Sequence, residues 1–513
     1  MTLPLSTFRI PRAAGLRPAG LPPALARVIA AALSASLVFA LAGCETPVLK
    51  STVQVPDKFA AASASEAAAE VAWWERFADP TLSNLIQRAA LENRDIRIAA
   101  ERVRAARAGE TISRSWLLPS FGAVAGGADQ RTDYKGSAQQ AVPDTKTASG
   151  GLSASWEVDL SGRLRAGAAA AAADTKATED QARGVRLLVL SDVASNYFML
   201  VGALQQLETV RAISAAQDET LRLVTARQRV GLASDFDVER ARTDAQSARA
   251  AIPPLETLAA ASRHRIAVLI GSQAADAATI KPWTGRATVP DIEPGQPAEL
   301  LERRPDLLAS RAQLEAANFR RRQAAAECFP RLFVSALFGR QSTDVNGVGL
   351  GVARFSNASA LLTTPIFDWG RTRSINDIAA SGQNEALLRY EDAIVRALED
   401  VENALVALRD QRIRDEALQS AAASADAALG HAQSLYDRGQ IDLLPLLDAQ
   451  RMHLSVLVNA NNSSTQLLLS AVDLFKALGG GWQAFEPGAA PKAANSAQPS
   501  QSEPQTSTNK DPS

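Results

Sequence analysis

Apolar and polar positions follow two different periods along this chain. Between residues 152 and 160 they alternate strictly, with Trp156 among the apolar positions and serine or acidic residues between them. A period of two is typical of a strand with one apolar and one polar face. The Gly/Ala-rich stretch 120–128 is its predicted partner, so residues 116–160 form a hairpin in which 129–149 are the connecting loop.

Helical spacing prevails on both sides of this hairpin. Asp79 and Pro80 suit an N-cap and a first helical residue, and they predict a helix to about Ser115. Residues 164–230 contain no proline and predict one helix on the order of 100 Å long, at 1.5 Å per residue. Because such a helix is too long for a globular core, it must pack against other long helices.

Further elements follow in both halves of the chain. Ser234 or Asp235 can cap the next helix, which is predicted to continue to about Ile270. In the second half, Pro305 opens a helix, and Asn346-Gly347 marks the turn of a second hairpin.

The turns reveal an internal duplication. A shift of 208 residues places Gly439 on Gly231 and Gly479 on Gly271, with helical patterns around each of them. The predicted organisation is a signal peptide (1–43), an N-terminal lipid-anchored segment (44–79), a first repeat (80–271), a linker (272–297), a second repeat (298–485) and a disordered tail (486–513).

The strand count constrains the architecture. Each repeat supplies two strands, at 116–160 and 330–367, and four strands are too few to close a barrel. Beyond the signal peptide the chain has no run of 18 consecutive apolar residues, so no membrane-spanning helix is expected. Unpaired strand edges are not tolerated in lipid. Several chains must therefore pool their strands, two giving eight and three giving twelve.

Composition agrees with closely packed helices and argues against other classes. Only 5% of the residues are aromatic, and the formal net charge is -1, which does not suggest binding to nucleic acid. The three histidines and two cysteines form no metal-ligand cluster, and the chain has no Ser/His/Asp set or phosphate loop. We expect no cofactor and no enzymatic activity.

The N-terminus has the pattern of a targeting segment. Arg27 precedes an apolar run, 28–40, that is too short for a permanent span, and the run ends in Leu-Ala-Gly before Cys44. This sequence resembles a bacterial lipobox, in which the thiol of Cys44 would carry the lipid. The alternative is an ordinary secretory peptide in which Cys44 is incidental. Glu45, rather than Asp, after the cysteine implies the outer membrane by the same resemblance.

Several motifs together resemble the TolC-like outer-membrane efflux channels, in their OprM/NodT-like lipoprotein branch. The resemblance covers about 44–485 and implies a homotrimer with a twelve-stranded β-barrel and a long periplasmic α-helical barrel. It also implies contact with outer-membrane lipid, a periplasmic adaptor protein and an inner-membrane RND-type pump. The motifs that carry it, besides the lipobox, are Trp73-Trp74, Phe77–Pro80, Arg304–Asp306, Phe329-Pro330, Pro365–Arg371, Leu447–Arg451 and Lys476–Trp482.

The resemblance also implies site residues at the periplasmic end of the helices. The implied gate residues are Asp237, Tyr436, Leu444 and Asp448. A ring of carboxylates on an axis binds cations, and an adjacent leucine ring resists wetting. The alternative is that Asp237 and Asp448 are solvated acids favoured by the helix dipole. The candidate adaptor contacts are Arg229, Gly231, Leu232, Arg438 and Gly439, although backbone geometry alone could account for the glycines.

Two other functions share parts of this pattern. A duct for type I protein secretion would have the same tube, but the lipid anchor and the lipoprotein-branch motifs favour efflux. A lipid-anchored periplasmic adaptor would contain one helical hairpin flanked by β-rich domains, instead of two strand–helix repeats.

Overall fold

The computed structural model describes residues 46–61, 71–131, 143–283 and 288–486. The strands are β1 (Ser120–Gln130), β2 (Thr145–Val158), β3 (Arg331–Val345) and β4 (Val348–Thr363). The helices are α1 (Pro80–Glu92), α2 (Arg94–Ser115), α3 (Arg163–Arg229), α4 (Asp235–Ala250), α5 (Ile252–Leu269), α6 (Pro305–Ala325), α7 (Arg371–Asp437) and α8 (Leu443–Ala477). A single α-turn lies at Leu300–Arg303, and 3-10 turns lie at Trp73–Phe77, Ala274–Thr279, Pro297–Glu299, Ala326–Cys328 and Trp482–Phe485.

The chain divides into two compact units. Ser113–Ala168 and Phe319–Ala380 form a unit that contains the four strands. The described residues within Leu49–Ile112, Ala169–Asn318 and 381–486 form a helical unit. Each unit is therefore built from both halves of the chain.

The four strands make one antiparallel sheet in the order β1-β2-β3-β4. The two hairpins meet at the β2–β3 pair, where Val158 lies opposite Leu332. The predicted hairpins are confirmed, but the loop predicted at 129–149 is too long, because β1 continues to Gln130 and β2 begins at Thr145. These polar residues still pair, since a ladder of backbone hydrogen bonds does not require apolar side chains.

The predicted alternation of apolar and polar faces extends from β2 to its neighbours in part, because Phe333 and Leu361 lie on the same face as the serine row described below. Trp156 is paired with Val334, and Val334 with Ala360, so this row is apolar across three strands. The neighbouring row on the opposite face consists of Ser120, Ser155, Ser335 and Ser359. The first two hydroxyls lie 2.8 Å apart and the last two 2.7 Å apart, which satisfies them without apolar cover.

The second hairpin turns where the sequence predicts. Asn346 and Gly347 have φ values of 53° and 81°, the left-handed pair that a two-residue hairpin turn requires. The Gly347 N–H donates to Asp344 at 2.8 Å. Asn346 also accepts from the N–H of Asp144 at 2.8 Å, which ties this turn to the beginning of β2.

Two predicted helices are broken, one at Asn93 and one at Ala251. The first helix stops at buried Asn93, whose amide donates to the Leu269 carbonyl at 2.8 Å and whose oxygen accepts from the Asp95 N–H at 2.8 Å. The side chain thus caps α2, so one continuous helix from Pro80 to Ser115 was wrong. The helix after Ser234 is interrupted at Ala251, because the following Pro253 lacks the N–H that would continue the hydrogen-bond ladder.

The core of the helical unit lies around the aromatic residues after residue 72. The Trp73 ring stacks on Phe475 with centroids 5.2 Å apart, and Phe77 contacts Phe198 at 4.9 Å. Asp79 is confirmed as the N-cap of α1, accepting from the N–H groups of residues 81 and 82. Its other oxygen accepts a hydrogen bond from the buried Tyr197 hydroxyl.

Helix α3 contains an apolar stretch that has the length and composition of a membrane span. The sequence predicted no such helix, because no 18 consecutive residues are apolar. In the described chain 61% of this window is buried, as expected for a helix packed inside a protein.

Candidate functional site

The two helix turns singled out by the duplication have the same backbone geometry. Gly231 has a φ of 79° and Gly439 a φ of 70°. In both turns the glycine N–H bonds to the carbonyl three residues earlier, and the next N–H bonds to the carbonyl five residues earlier, all at 2.9 Å. This is the Schellman motif, which satisfies the last carbonyls of a helix. A Cβ atom at either glycine would meet open space, so the left-handed backbone is the reason for glycine.

Asp237 belongs to the N-terminal cap of α4. Ser234 is the N-cap, and Asp237 accepts hydrogen bonds from the Ser234 hydroxyl at 2.7 Å and the Ser234 N–H at 3.0 Å. These hydrogen bonds lower the pKa of the Asp237 carboxyl, since they favour its charged form. The Asp237 carboxylate is therefore hydrogen-bonded to the residue that caps its own helix. The role of Asp237 in a gate stays a prediction.

In the following, α3 with α4 is called the first helical hairpin and α7 with α8 the second. Tyr436 lies buried at the end of α7 and contacts the first helical hairpin. The guanidinium of Arg227, in the last turn of α3, lies over the Tyr436 ring at 4.7 Å from its centroid. A cation over an aromatic face is attracted to it. This contact joins the end of α3 to the end of α7, directly before the two glycine turns.

Asp448 is part of a row of alternating charges between α4 and α8. Its carboxylate lies 3.3 Å from the Arg240 guanidinium and 3.8 Å from that of Arg451 on its own helix. Arg451 in turn lies 3.2 Å from Asp244 on α4. These four side chains are called the charge ladder below. Two of its three contacts cross between the helices, so it fastens the first helical hairpin to the second.

A buried contact continues this attachment. The Gln450 amide donates to the Thr220 hydroxyl at 3.0 Å, which joins α8 to α3. Below the turns, Val224 and Val238 are buried and Leu443 packs against them. The starts of α4 and α8 therefore share a small apolar core with the end of α3.

The remaining predicted residues lie at the surface of the described chain. Leu444 is exposed in the first turn of α8, one residue before Pro445. The candidate adaptor-contact residues Arg229, Gly231, Leu232, Arg438 and Gly439 are all exposed. Val230, beside Gly231, is an exposed apolar residue in the same turn. Cys44, the predicted lipidation site, lies outside the described residues, as do residues 487–513 of the predicted tail.

Sequence reasoning missed the partners of Asp448 and Tyr436. The shift of 208 residues that relates the two halves places Asp448 on Arg240, and these two equivalent positions prove to be ion-pair partners. That correspondence could have predicted the ion pair from the sequence. The contact between Arg227 and Tyr436 could not be predicted in this way, because it depends on how the two hairpins pack.

Comparisons with known proteins agree with this architecture. The family described as "Outer membrane efflux protein" matches residues 85–272 and 297–480. The chain is 33% identical to outer membrane protein OprJ of Pseudomonas aeruginosa over 426 residues, which cover 82% of this chain and 89% of that protein. It is 28% identical to the probable outer membrane lipoprotein SilC of Salmonella typhimurium, over 88% of this chain and 98% of that protein. The solved structure of the outer-membrane channel OprN superposes with a TM-score of 0.79 at 28% identity, covering 85% of this chain and 99% of that one.

The four-stranded sheet and the paired helical hairpins agree with these matches. They place the chain in the class of trimeric TolC-like outer-membrane channels. The chain belongs to the outer membrane efflux protein family, and both halves match that family. The predictions of fold class, efflux function and outer-membrane location are thereby confirmed.

Proposed function

We propose that this chain is the outer-membrane duct of a tripartite efflux system, working as a homotrimer with a periplasmic adaptor and an inner-membrane RND-type pump. It conducts passively, and the energy for transport comes from the pump. The observation that carries the proposal is the sheet, in which β1 and β4 each keep one edge unpaired among the residues that the structure describes. Edges in lipid require partners, and three copies supply twelve strands around a passage.

The turns supply the gate in this proposal. The charge ladder and the Arg227–Tyr436 contact hold the two hairpins together. Asp448 and Leu444, repeated in three copies, form a carboxylate ring and an apolar ring that resist ion passage and wetting. Asp237 supports the gate by fixing the first turn of α4. Opening then requires a partner that splays the helices and separates the ion pairs.

The adaptor is proposed to bind at the glycine turns. Leu232 and Val230 are exposed apolar side chains, and the basic Arg229 and Arg438 flank the two turns. An apolar centre with an arginine rim is the composition of protein–protein contact sites. Gly231 and Gly439 keep the backbone of these turns compact and exposed.

The efflux function is tested in the parent bacterium. Deleting the gene should raise intracellular accumulation of a fluorescent efflux substrate, and the wild-type gene on a plasmid should restore the original level. As a matched control, a variant with the β3–β4 hairpin removed should not restore it, because the sheet cannot close. Unchanged accumulation, with loss of an exported protein from the medium instead, would favour the type I secretion duct.

The lipid anchor is tested at the cysteines. Labelling growing cells with an alkyne analogue of palmitate should tag the wild-type chain and the Cys328→Ser variant equally, whereas Cys44→Ser should lose the tag. Cys328 is the matched control because it is the other cysteine of the chain and is exposed. A tag that persists in Cys44→Ser would contradict the lipobox.

A further inference from the structure

Two exposed apolar segments flank the open edges of the sheet. The first, called the β1 entry segment, is Trp116–Leu118 immediately before β1. The second, called the β4 exit segment, is Ile366–Trp369 shortly after β4. The exposed fractions are 66% for Trp116, 68% for Leu118, 93% for Ile366, 74% for Phe367 and 90% for Trp369. Exposed apolar clusters of this kind mark interaction surfaces.

The β4 exit segment is held in a fixed and uncommon conformation. Trp369 has a φ of 56°, which is rare for a bulky side chain. Asp368 accepts hydrogen bonds from the N–H groups of Gly370 at 3.2 Å and Thr372 at 2.8 Å, which caps α7. The Phe367 and Trp369 rings contact each other with centroids 4.8 Å apart. A backbone outlier kept by such bonds is a reason to look for a function.

The β1 entry segment is also fixed in place. The Leu117 carbonyl accepts a hydrogen bond from the Trp156 indole at 3.1 Å, and Trp156 lies on the apolar face of β2. The N–H of Leu118 bonds to the Ser115 carbonyl at 3.1 Å and closes a turn after α2. Trp116 and Leu118 are therefore presented at the start of β1 in a defined arrangement.

The strand register places both segments at the same end of the sheet but at opposite edges. Ser120 at the start of β1 is in one row with Ser359, four residues before the end of β4. Three strand spacings separate β1 from β4 within one copy, about 14 Å at 4.8 Å each. Edge pairing between copies, β4 of one with β1 of the next, would instead bring the two segments side by side.

We propose that the β4 exit segment of one copy packs against the β1 entry segment of the next and forms an aromatic clasp between subunits. The inference rests on the trimeric duct proposed above. Each copy has one half of the clasp at each edge, so the contact is heterologous and closes into a ring. The clasp secures the subunit boundary where strands are followed by helices, and it covers apolar surface that a single copy exposes.

The charges at the central strands favour a second copy over lipid as the occupant. An aromatic belt facing lipid would run past the ends of all four strands. An ion cluster lies at the ends of β2 and β3, with Arg163 at 2.7 Å from Glu157 and 3.6 Å from Glu327. Trp156 and Phe333 near these ends are only 36% and 38% exposed, whereas the aromatic side chains beside the two edges are 66–90% exposed, where another copy would meet them.

The clasp is tested by cross-linking between copies. The full-length chain carrying Cys328→Ser, Trp116→Cys and Trp369→Cys is treated in outer membranes with a short thiol-specific bifunctional reagent, because two tryptophans in contact hold their Cα atoms further apart than a disulfide spans. Most of the protein should shift to covalent dimers and trimers. The matched control pairs Trp116→Cys with Val348→Cys, which is exposed at the opposite end of β4 and should not cross-link.

A second measurement does not depend on cysteine reactivity. The temperature at which the trimer dissociates in SDS should fall by several degrees in Trp369→Ala and in Trp116→Ala, and should fall little further in the double variant. Trp369→Phe should retain most of the wild-type value. A trimer that neither cross-links nor loses heat resistance overturns the clasp alone. A wild-type chain that is monomeric in mild detergent overturns the trimeric duct itself.

Discussion

Asp448 takes part in two interactions that single substitutions can separate. Its carboxylate pairs with Arg240 across the helices, and in three copies it contributes negative charge at the proposed gate. The ion pair holds helices together, whereas the charge attracts cations. Replacing Asp448 removes both effects, and replacing Arg240 removes only the first.

We predict that Asp448→Ala raises single-channel conductance in planar bilayers and weakens block by divalent cations. Arg240→Ala should raise conductance but keep the divalent block, because the carboxylates remain. Since an exposed ion pair contributes about 0.2–1 kcal/mol, the gain should be severalfold and opening should stay incomplete. If conductance is unchanged in Asp448→Ala, this residue does not belong to the gate.

Tyr197 joins the first helix to the core through a buried hydroxyl. It donates to the Asp79 carboxylate and accepts from the Trp283 N–H at 3.1 Å. Burial, and then the hydrogen bond to Asp79, raise the pKa of Tyr197 far above its ordinary value, so the hydroxyl stays protonated and remains a donor.

Tyr197→Phe should lower the free energy of unfolding by about 1.5–3 kcal/mol, the range for a hydrogen bond to a charged group. The measurement is the midpoint of thermal unfolding followed by helical circular dichroism in detergent. Tyr390→Phe is the matched control, because Tyr390 packs half-buried on the same core and no hydrogen bond joins its hydroxyl to another described residue. Equal midpoints for the two variants would contradict the assigned role of Tyr197.

At the level of secondary-structure elements, the helix ends are the informative places. The long helices α3 and α7 both contain 67 residues and both end in a Schellman turn. The shorter helices α5 and α8 are followed two residues later by Gly271 and Gly479, where a Cβ would lie 2.5 Å from Glu92 and 2.8 Å from Arg304. Glycine is therefore required there for close packing as well as for its left-handed backbone.

The start of α4 gives a prediction about its cap. Ser234→Ala removes the cap and should destabilise the first turn by about 1 kcal/mol. Amide hydrogen exchange should become faster at residues 235–240 and stay unchanged in the first turn of α8. The reverse pattern, or no change, would exclude the cap as the source of order in this turn.

The same cap has a pH dependence whose direction is fixed by Asp237. Its pKa is lowered in the folded chain by the hydrogen bonds from Ser234. The stabilisation is therefore present above the ordinary Asp pKa of about 3.9 and is lost as the pH falls through the lowered folded pKa. Asp237→Asn should remove this dependence. Exchange rates, corrected for the intrinsic effect of pH, provide the measurement.

At the scale of the whole molecule, the unpaired strand edges and the exposed apolar surface of one copy indicate how many copies assemble. In the described part of the chain the four-stranded sheet keeps two unpaired edges and exposes large apolar side chains, which other copies or lipid can cover. We predict that mass analysis in mild detergent finds three chains per particle, which gives twelve strands. A monomer would refute the duct, and a dimer would require an eight-stranded barrel instead.

The sequence by itself determined the elements and their repetition. The alternation at 152–160, the N-cap Asp79, the helix-opening Pro305 and the glycines of the four helix ends are local signals, because a period, a helix start or a positive φ depends on neighbouring residues only. The family resemblance then gave the fold class and the efflux function.

Only the tertiary structure decided which side chains meet. The break at Asn93 depends on the Leu269 carbonyl, and Asp448 finds Arg240 although 208 residues separate them. The hydrogen bond between the Asp237 carboxylate and Ser234 was likewise visible only in the structure, and the place of Asp237 in the gate stays a prediction. The physical reason is that hydrogen bonds and ion pairs act over a few ångströms in space, and sequence spacing fixes such distances only within one helix or one turn.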